Sequence, residues 1–161
     1  MLDAILKPPG DGAASMAPAL LAGEWLGDGS AERVGPYVRR VVSRARLAGP
    51  GDPARAADYA CVAKRHMARL APAARAEILE RAAGIAVERR DDFARLIALE
   101  LGKPIKDGRG EMDRVGDTLA VCAAEARQIG GELLPVAGWR RGIGNTAMTY
   151  RAPAGVALAI T

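Results

Sequence analysis

Two cysteines and one histidine are the first candidates for nucleophilic or metal chemistry in this 161-residue chain. Cys61 and His66 are five residues apart, about 140° around a helix, so they do not share a face. His66 is predicted to be a partly exposed helix residue. Cys122 has no histidine beside it in sequence and no cationic cluster to lower its pKa. It is therefore predicted to be a packing thiol, and Cys61 is interpreted in the same way. Since a metal site needs three or four ligands, none is predicted, and no catalytic residue is assigned.

Two glycine-containing stretches match phosphate-binding loops only in part. The segment 142–147 fits the pattern G-x-G-x-x-A, but that fingerprint requires a strand before it and a helix after it. A β-rich segment follows it here, so a surface turn is predicted. Gly102 and Lys103 are followed by Pro104, where a Walker A loop requires Ser or Thr. Lys103 is interpreted as a favourable charge at a helix C-terminus.

Composition and charge narrow the classes of partner. The chain is 50% hydrophobic and 26% charged, which is typical of a globular protein and excludes a wholly disordered chain. The net charge of +4 is mild. Few aromatic residues, on which bases could stack, lie between the clusters of Lys and Arg, so no nucleic-acid partner is predicted. No uninterrupted apolar run approaches 18 residues, so no membrane partner is predicted. Two cysteines without a secretory signal predict a cytoplasmic protein with reduced thiols.

Residues 1–20 are rich in Pro, Gly and small residues and are predicted to be a flexible arm. The strands and helices that would position the candidate residues begin after this arm. Short strands are predicted over 22–26 and within 38–47, where side chains alternate between two faces. Four helices are predicted next: one from Asp52, as N-cap, with Pro53 at its first position; one from Pro72; one from Asp91 to Gly102; and one over 112–129.

The fourth helix has the clearest apolar pattern. Its apolar residues recur at spacings of three and four, which predicts one buried stripe. The stripe consists of Met112, Val115, Leu119, Cys122, Ala126 and Ile129.

Beyond Gly130 and Gly131 the pattern changes to that of strands. The segment 146–151 is predicted to be an exposed strand. Residues 156–160 form a continuous apolar run, typical of a strand buried on both faces of a parallel sheet. Such a strand needs neighbouring strands and crossover helices, so the sequence predicts that the chain is part of a longer α/β protein.

Several stretches, in order, resemble the N-terminal portion of the aldehyde dehydrogenase superfamily, and together they cover roughly residues 22–161. They are Gly23-Glu24-Trp25, the passage 71–79 (APAARAEIL), the passage 88–96 (ERRDDFARL), 100–104 (ELGKP), 131–135 (GELLP), 150–156 (YRAPAGV) and Ala159-Ile160-Thr161.

The resemblance implies an α/β fold, the N-terminal part of an aldehyde-dehydrogenase-like Rossmann-type domain, mostly helical with four helices and short flanking strands. It divides the chain into a flexible arm (1–20), the strands and helices of the cofactor-binding domain (21–130), a hairpin-like oligomerisation segment (131–154) and the first strand of a truncated parallel sheet (155–161). Homo-oligomerisation through the strand 146–152 is also implied.

The resemblance implies NAD- or NADP-dependent oxidation of an aldehyde to a carboxylic acid. The family's nucleophilic cysteine, glutamate base, glycine-rich cofactor loop and oxyanion-stabilising asparagine all fall beyond residue 161. Neither Cys61 nor Cys122 matches the nucleophile's motif, and only Ile160 and Thr161 map onto a cofactor contact. The isolated chain is therefore expected to be inactive. The glycines at 142–145 hint at lactaldehyde- or phosphonoacetaldehyde-type subgroups. The alternative is a non-catalytic interaction or assembly module.

Overall fold

The computed structural model describes residues 14–26 and 31–160. This part of the chain has short strands around four α-helices, which confirms the expected α/β class. The strands are β1 (Ser15–Ala17), β2 (Ala19–Leu21), β3 (Glu24–Leu26), β4 (Ala31–Val34), β5 (Val41–Ala45), β6 (Leu133–Leu134) and β7 (Ala147–Met148). The helices are α1 (Asp52–Arg69), α2 (Pro72–Glu88), α3 (Arg90–Leu101) and α4 (Ile105–Gln128).

The N-terminal strands form two small sheets. In one, β5 lies between β1, which runs parallel to it, and β4, which runs antiparallel. In the other, β2 pairs antiparallel with β3. The arm predicted for 1–20 is wrong for 15–20, because these residues pair in strands instead. Residues 1–13 of the predicted arm, and the turn predicted at 27–30, lie outside the described residues.

The middle strand β5 anchors this sheet to α3. Val42 is 1% exposed. Next to it, the Ser43 hydroxyl donates a hydrogen bond of 2.5 Å to the Glu100 carboxylate near the end of α3. Gly35 and Leu99 also meet closely, since a Cβ at Gly35 would lie 2.6 Å from the Leu99 carbonyl oxygen. The Arg33 Nε donates a further hydrogen bond of 3.2 Å to the Glu100 carbonyl oxygen, so two polar bonds and one close backbone approach hold the sheet to α3.

The first helix begins differently from the prediction. Gly51 is the N-cap residue, and Asp52 is the first residue of α1, with no side-chain cap bond. The Asp52 carboxylate instead accepts hydrogen bonds of 2.8 Å from the Gly49 N–H and the Arg46 guanidinium. Asp52 therefore fixes the loop that precedes α1 rather than the open end of the helix.

The helical core is an interface of small residues. Its central cluster consists of Ala76, Ala123 and Ala126, with Leu79 packed against it. A Cβ at Gly108 would lie 2.8 Å from the Ala94 carbonyl oxygen, so α3 and α4 approach with backbone nearly touching backbone. These small residues let α4 pack closely against both α2 and α3.

The buried stripe predicted on α4 is only partly right. Met112 and Ala126 are buried, but Val115, Cys122 and Ile129 are exposed. The buried face instead consists of Gly108, Met112, Gly116, Ala123 and Ala126. The glycines and alanines take the inward positions because the neighbouring helices approach too closely for larger side chains.

The C-terminal part carries less regular structure than predicted. Leu133 and Leu134 pair antiparallel with Met148 and Ala147, and two short 3₁₀ turns lie between the strands. The strand predicted over 146–151 is reduced to β7. The buried strand predicted within 155–161 is not formed over the described residues 155–160, which are exposed. A strand needs a hydrogen-bonded neighbour, and the described residues supply none to this run.

Candidate functional site

A groove of about 1150 Å³ lies between the helices and the segment that follows β7. Met67 of α1, Arg75 of α2, Ile129 after α4 and Val156 line it. A smaller compartment of about 400 Å³ adjoins the groove, and Met67, Arg75, Glu125 and Ile129 line both. We call the two together the interhelical groove.

The groove exists because α1 stands apart from the other helices. No residue of α1 is buried, and its main packing partner is β2. The chain turns at Leu70, whose N–H bonds to the Met67 carbonyl oxygen, and α2 starts at Pro72. Apolar side chains on the facing sides of α1, α2 and α4 therefore border open space instead of each other.

Arg75 is the unusual polar group in the interhelical groove. Its Nε is shielded from solvent and has no hydrogen-bond partner among the described residues. Lys64, Arg65 and Arg151 also line the groove, against two acidic residues, Glu125 and Glu132. The groove thus combines apolar walls with an excess of positive charge.

Of the two predicted cofactor-contact residues, Ile160 falls within the described part of the chain. Ile160 is 88% exposed and belongs to no strand. Thr161 lies outside the described residues. The glycine stretch at 142–147 follows a 3₁₀ turn and leads into β7, so it is not a loop between a strand and a helix. The assignment of Ile160 and Thr161 as cofactor contacts therefore stays a prediction.

The thiols and the histidine also remain separate. Cys61 and Cys122 are both exposed, which corrects their predicted packing role. His66 is exposed on α1, as predicted. Cys122 lines the smaller compartment among apolar residues, and no histidine lies there to act as its base. Within the described ranges, no three His, Cys, Asp or Glu side chains are grouped so that they could hold a metal ion.

Two exposed arginine–aspartate ion pairs connect α3 to α4. Arg90 donates two hydrogen bonds, of 2.5 and 2.7 Å, to the Asp113 carboxylate. Arg109 donates two, of 3.0 and 3.1 Å, to Asp91. These guanidinium bonds lower the pKa of the Asp113 and Asp91 carboxyl groups. Since each carboxylate is held by an arginine, the cluster is suited to holding helices together and not to proton transfer.

No helix in the described part of the chain combines the length and apolar character that crossing a membrane requires.

Comparison with known proteins gives a consistent result. Residues 25–161 match the model of the aldehyde dehydrogenase family. The chain is 40% identical over 90 residues to 3-sulfolactaldehyde dehydrogenase of Priestia aryabhattai, a match covering 56% of this chain and 19% of that protein. It is 30% identical over 142 residues to D-glyceraldehyde dehydrogenase (NADP(+)) of Thermoplasma acidophilum, covering 86% of this chain and 28% of its relative.

Solved structures show the same fold. Aldehyde dehydrogenase 21 of Physcomitrella patens, in complex with the reaction product succinate, superimposes with a TM-score of 0.73 at 30% identity. That match covers 82% of this chain and 28% of the moss protein. The chain thus spans less than a third of the length of these relatives. The motifs quoted from 71–79, 88–96 and 100–104 lie on α2 and α3 and end at Pro104, the residue before α4, within the matched region. The chain belongs to the aldehyde dehydrogenase family.

Proposed function

We propose that this chain forms the N-terminal part of an NAD- or NADP-dependent aldehyde dehydrogenase, which oxidises an aldehyde to a carboxylic acid. The family match over residues 25–161 carries this proposal. The reaction converts an aldehyde, water and NAD(P)⁺ into an acid, NAD(P)H and a proton. Since neither Cys61 nor Cys122 matches the motif of the family's nucleophile, the chain alone is proposed to be inactive.

The proposed substrate is a small aldehyde with hydroxyl or anionic substituents. The relatives are named for 3-sulfolactaldehyde, succinate semialdehyde, lactaldehyde and D-glyceraldehyde, and all four are small polar aldehydes. The cofactor is proposed to be NAD or NADP, since the related structures and sequences include NAD-dependent and NADP-dependent enzymes. Ile160 and Thr161 are proposed to contact it when the rest of the catalytic domain is present.

A chimeric enzyme tests the proposal. Residues 25–161 would replace the matching segment of the Thermoplasma D-glyceraldehyde dehydrogenase, and NADPH formation from D-glyceraldehyde would be followed at 340 nm. We expect activity from the chimera and none from the 161-residue chain alone. A chimera that is folded by circular dichroism and binds NADP but forms no NADPH would contradict the proposal. Activity from the isolated chain would contradict its predicted inactivity.

A second role, assembly, is favoured by the β6–β7 hairpin. Leu133 and Met148 pair across it and are 73% and 72% exposed. A short, unpaired strand edge with apolar side chains can pair with a second copy. We propose that the segment 146–152 mediates homo-oligomerisation. Light scattering on the isolated chain tests this, with Met148→Lys expected to raise the monomer fraction. A wild-type chain that is monomeric at about 100 μM would contradict it.

A further inference from the structure

We propose that the interhelical groove binds an acidic polypeptide segment and that Arg75 forms an ion pair with a carboxylate of that segment. The segment is assigned to the portion of an aldehyde dehydrogenase that lies outside this chain's match to its relatives. The inference rests on the proposed function. It names a binding surface and an anchor residue, both distinct from the cofactor contacts expected at Ile160 and Thr161.

The state of Arg75 is the first argument. Its Nε is removed from solvent without a hydrogen bond to replace the lost water. A buried donor of a charged group that lacks a partner is destabilising, so native structures almost always supply one. No described residue does so here. A carboxylate is the fitting partner because the planar guanidinium can donate two parallel hydrogen bonds to it.

The charge of the lining is the second argument. Of the ionisable residues in the larger compartment, Lys64, Arg65, Arg75 and Arg151 are basic, and only Glu125 and Glu132 are acidic. The excess of positive charge favours an anionic occupant over a neutral or cationic one. Arg75 lies at the junction of the two compartments, where it can contact an occupant that extends through both.

The apolar walls show why the occupant is a polypeptide and not a free anion. Met67, Ile78, Val121 and Ile129 line the smaller compartment, and they are 47%, 39%, 62% and 51% exposed. A small anion would leave these side chains in water. A segment with both apolar side chains and a carboxylate would cover these walls and pair with Arg75.

Two polypeptides that are not covalently joined test the inference. The full 161-residue chain would be co-expressed with the part of the Thermoplasma D-glyceraldehyde dehydrogenase that follows its match to this chain. The amount co-purified and the dissociation constant would be measured for the wild type, Arg75→Met and Arg81→Met. Arg81 lies on the same helix, is exposed and lines neither compartment, so it is the matched control. Thermal unfolding of each chain alone would be measured in parallel.

The inference predicts a specific combination of results. Arg75→Met weakens binding at least about tenfold, and added salt weakens wild-type binding more than that of the variant. Arg81→Met binds like the wild type. In the isolated chain Arg75→Met leaves the midpoint of unfolding unchanged or raises it, because it removes an unsatisfied buried donor.

Three outcomes would overturn the inference. They are absence of binding by the wild-type chain, equal binding by Arg75→Met and wild type, and a lower unfolding midpoint for isolated Arg75→Met than for Arg81→Met. The last result would show that Arg75 has a structural role within the chain. None of these outcomes bears on the activity of the fused chimera, so failure of the inference is distinguishable from failure of the proposed function.

Discussion

Replacing Gly108 with alanine is expected to lower the free energy of unfolding, whereas the same replacement at Gly110 is expected to raise it. Both glycines lie in the first turns of α4, two residues apart. Alanine has a higher helix propensity than glycine by about 1 kcal/mol, so both substitutions carry the same intrinsic gain. The two sites differ only in what the new methyl group meets.

The surroundings of the two positions decide the sign. A Cβ at Gly108 would lie 2.8 Å from the Ala94 carbonyl oxygen and 3.2 Å from the Ala94 Cα. These are backbone atoms of α3, which cannot rotate away as a side chain would. Overpacking of this kind typically costs about 1–3 kcal/mol. A Cβ at Gly110 would meet no atom within 4 Å.

The net effects follow by subtraction. Gly108→Ala is expected to destabilise the chain by about 1 kcal/mol after the propensity gain is deducted, and Gly110→Ala to stabilise it by about 1 kcal/mol. In a chain of this size the two thermal midpoints would differ by about 6 °C. Circular dichroism at 222 nm during heating or urea titration would measure both. If Gly108→Ala were as stable as Gly110→Ala, the close approach of α3 and α4 would be wrong.

Three further predictions concern the helix junction, acid sensitivity and cofactor affinity. Gly102→Ala is expected to destabilise the chain by about 1–2 kcal/mol, because Gly102 ends α3 at φ +71° and a Cβ would lie 2.9 Å from the Pro36 Cγ. Gly84→Ala, with no atom within 4 Å, is its control in urea unfolding, and a Gly102→Ala midpoint at or above wild type would contradict the prediction. Since the pKa values of Asp91 and Asp113 are lowered in the folded chain, the stability they supply is complete above about pH 4 and is lost as the pH falls below it. Asp113→Asn should therefore flatten the fall of the thermal midpoint between about pH 5 and pH 2 relative to the exposed control Asp117→Asn, and equal slopes would count against it. Finally, the isolated chain is expected to bind NAD more weakly than about 1 mM by calorimetry, and saturable binding below about 100 μM would refute this.

The helices were predictable from the sequence because local signals punctuate them. Pro72 at the start of α2 and Gly102 after α3 fall where proline and glycine are expected at helix ends, and the left-handed φ at Gly102 shows why that position suits glycine. The start of α4 was less predictable. Gly108 and Gly110 lower helix propensity, so the apolar pattern alone placed the start near Met112 and not at Ile105. What the pattern could not reveal is that Gly108 is required by the proximity of Ala94.

The candidate site was not predictable, because it depends on how the helices are arranged. Arg75 lies within a motif that the family resemblance identified, but its sequence neighbours give no sign that its Nε is buried without a partner. The strands at 15–21 were also missed, since three-residue strands interrupted by Pro18 carry too little pattern to distinguish them from a loop. Their pairing depends on β5 and β3, which lie further along the chain.

The two faces of α4 connect the error in the predicted stripe with the proposed docking surface. A helix that buries its core within one chain usually turns its larger apolar residues inward. In α4 the inward face consists of four small residues, Gly108, Gly116, Ala123 and Ala126, and one larger side chain, Met112. Val121 lies on another side of α4, and Ile129 follows the end of the helix. Both border the interhelical groove together with Arg75. The small face gives close packing against α2 and α3, and the larger apolar side chains remain to be covered. The spacing of apolar residues indicated apolar neighbours for Cys122 and Ile129. It placed those neighbours in the core of this chain, whereas both side chains line the interhelical groove. On the proposed function, a second polypeptide segment supplies the apolar neighbours, and Arg75 determines that this segment is acidic.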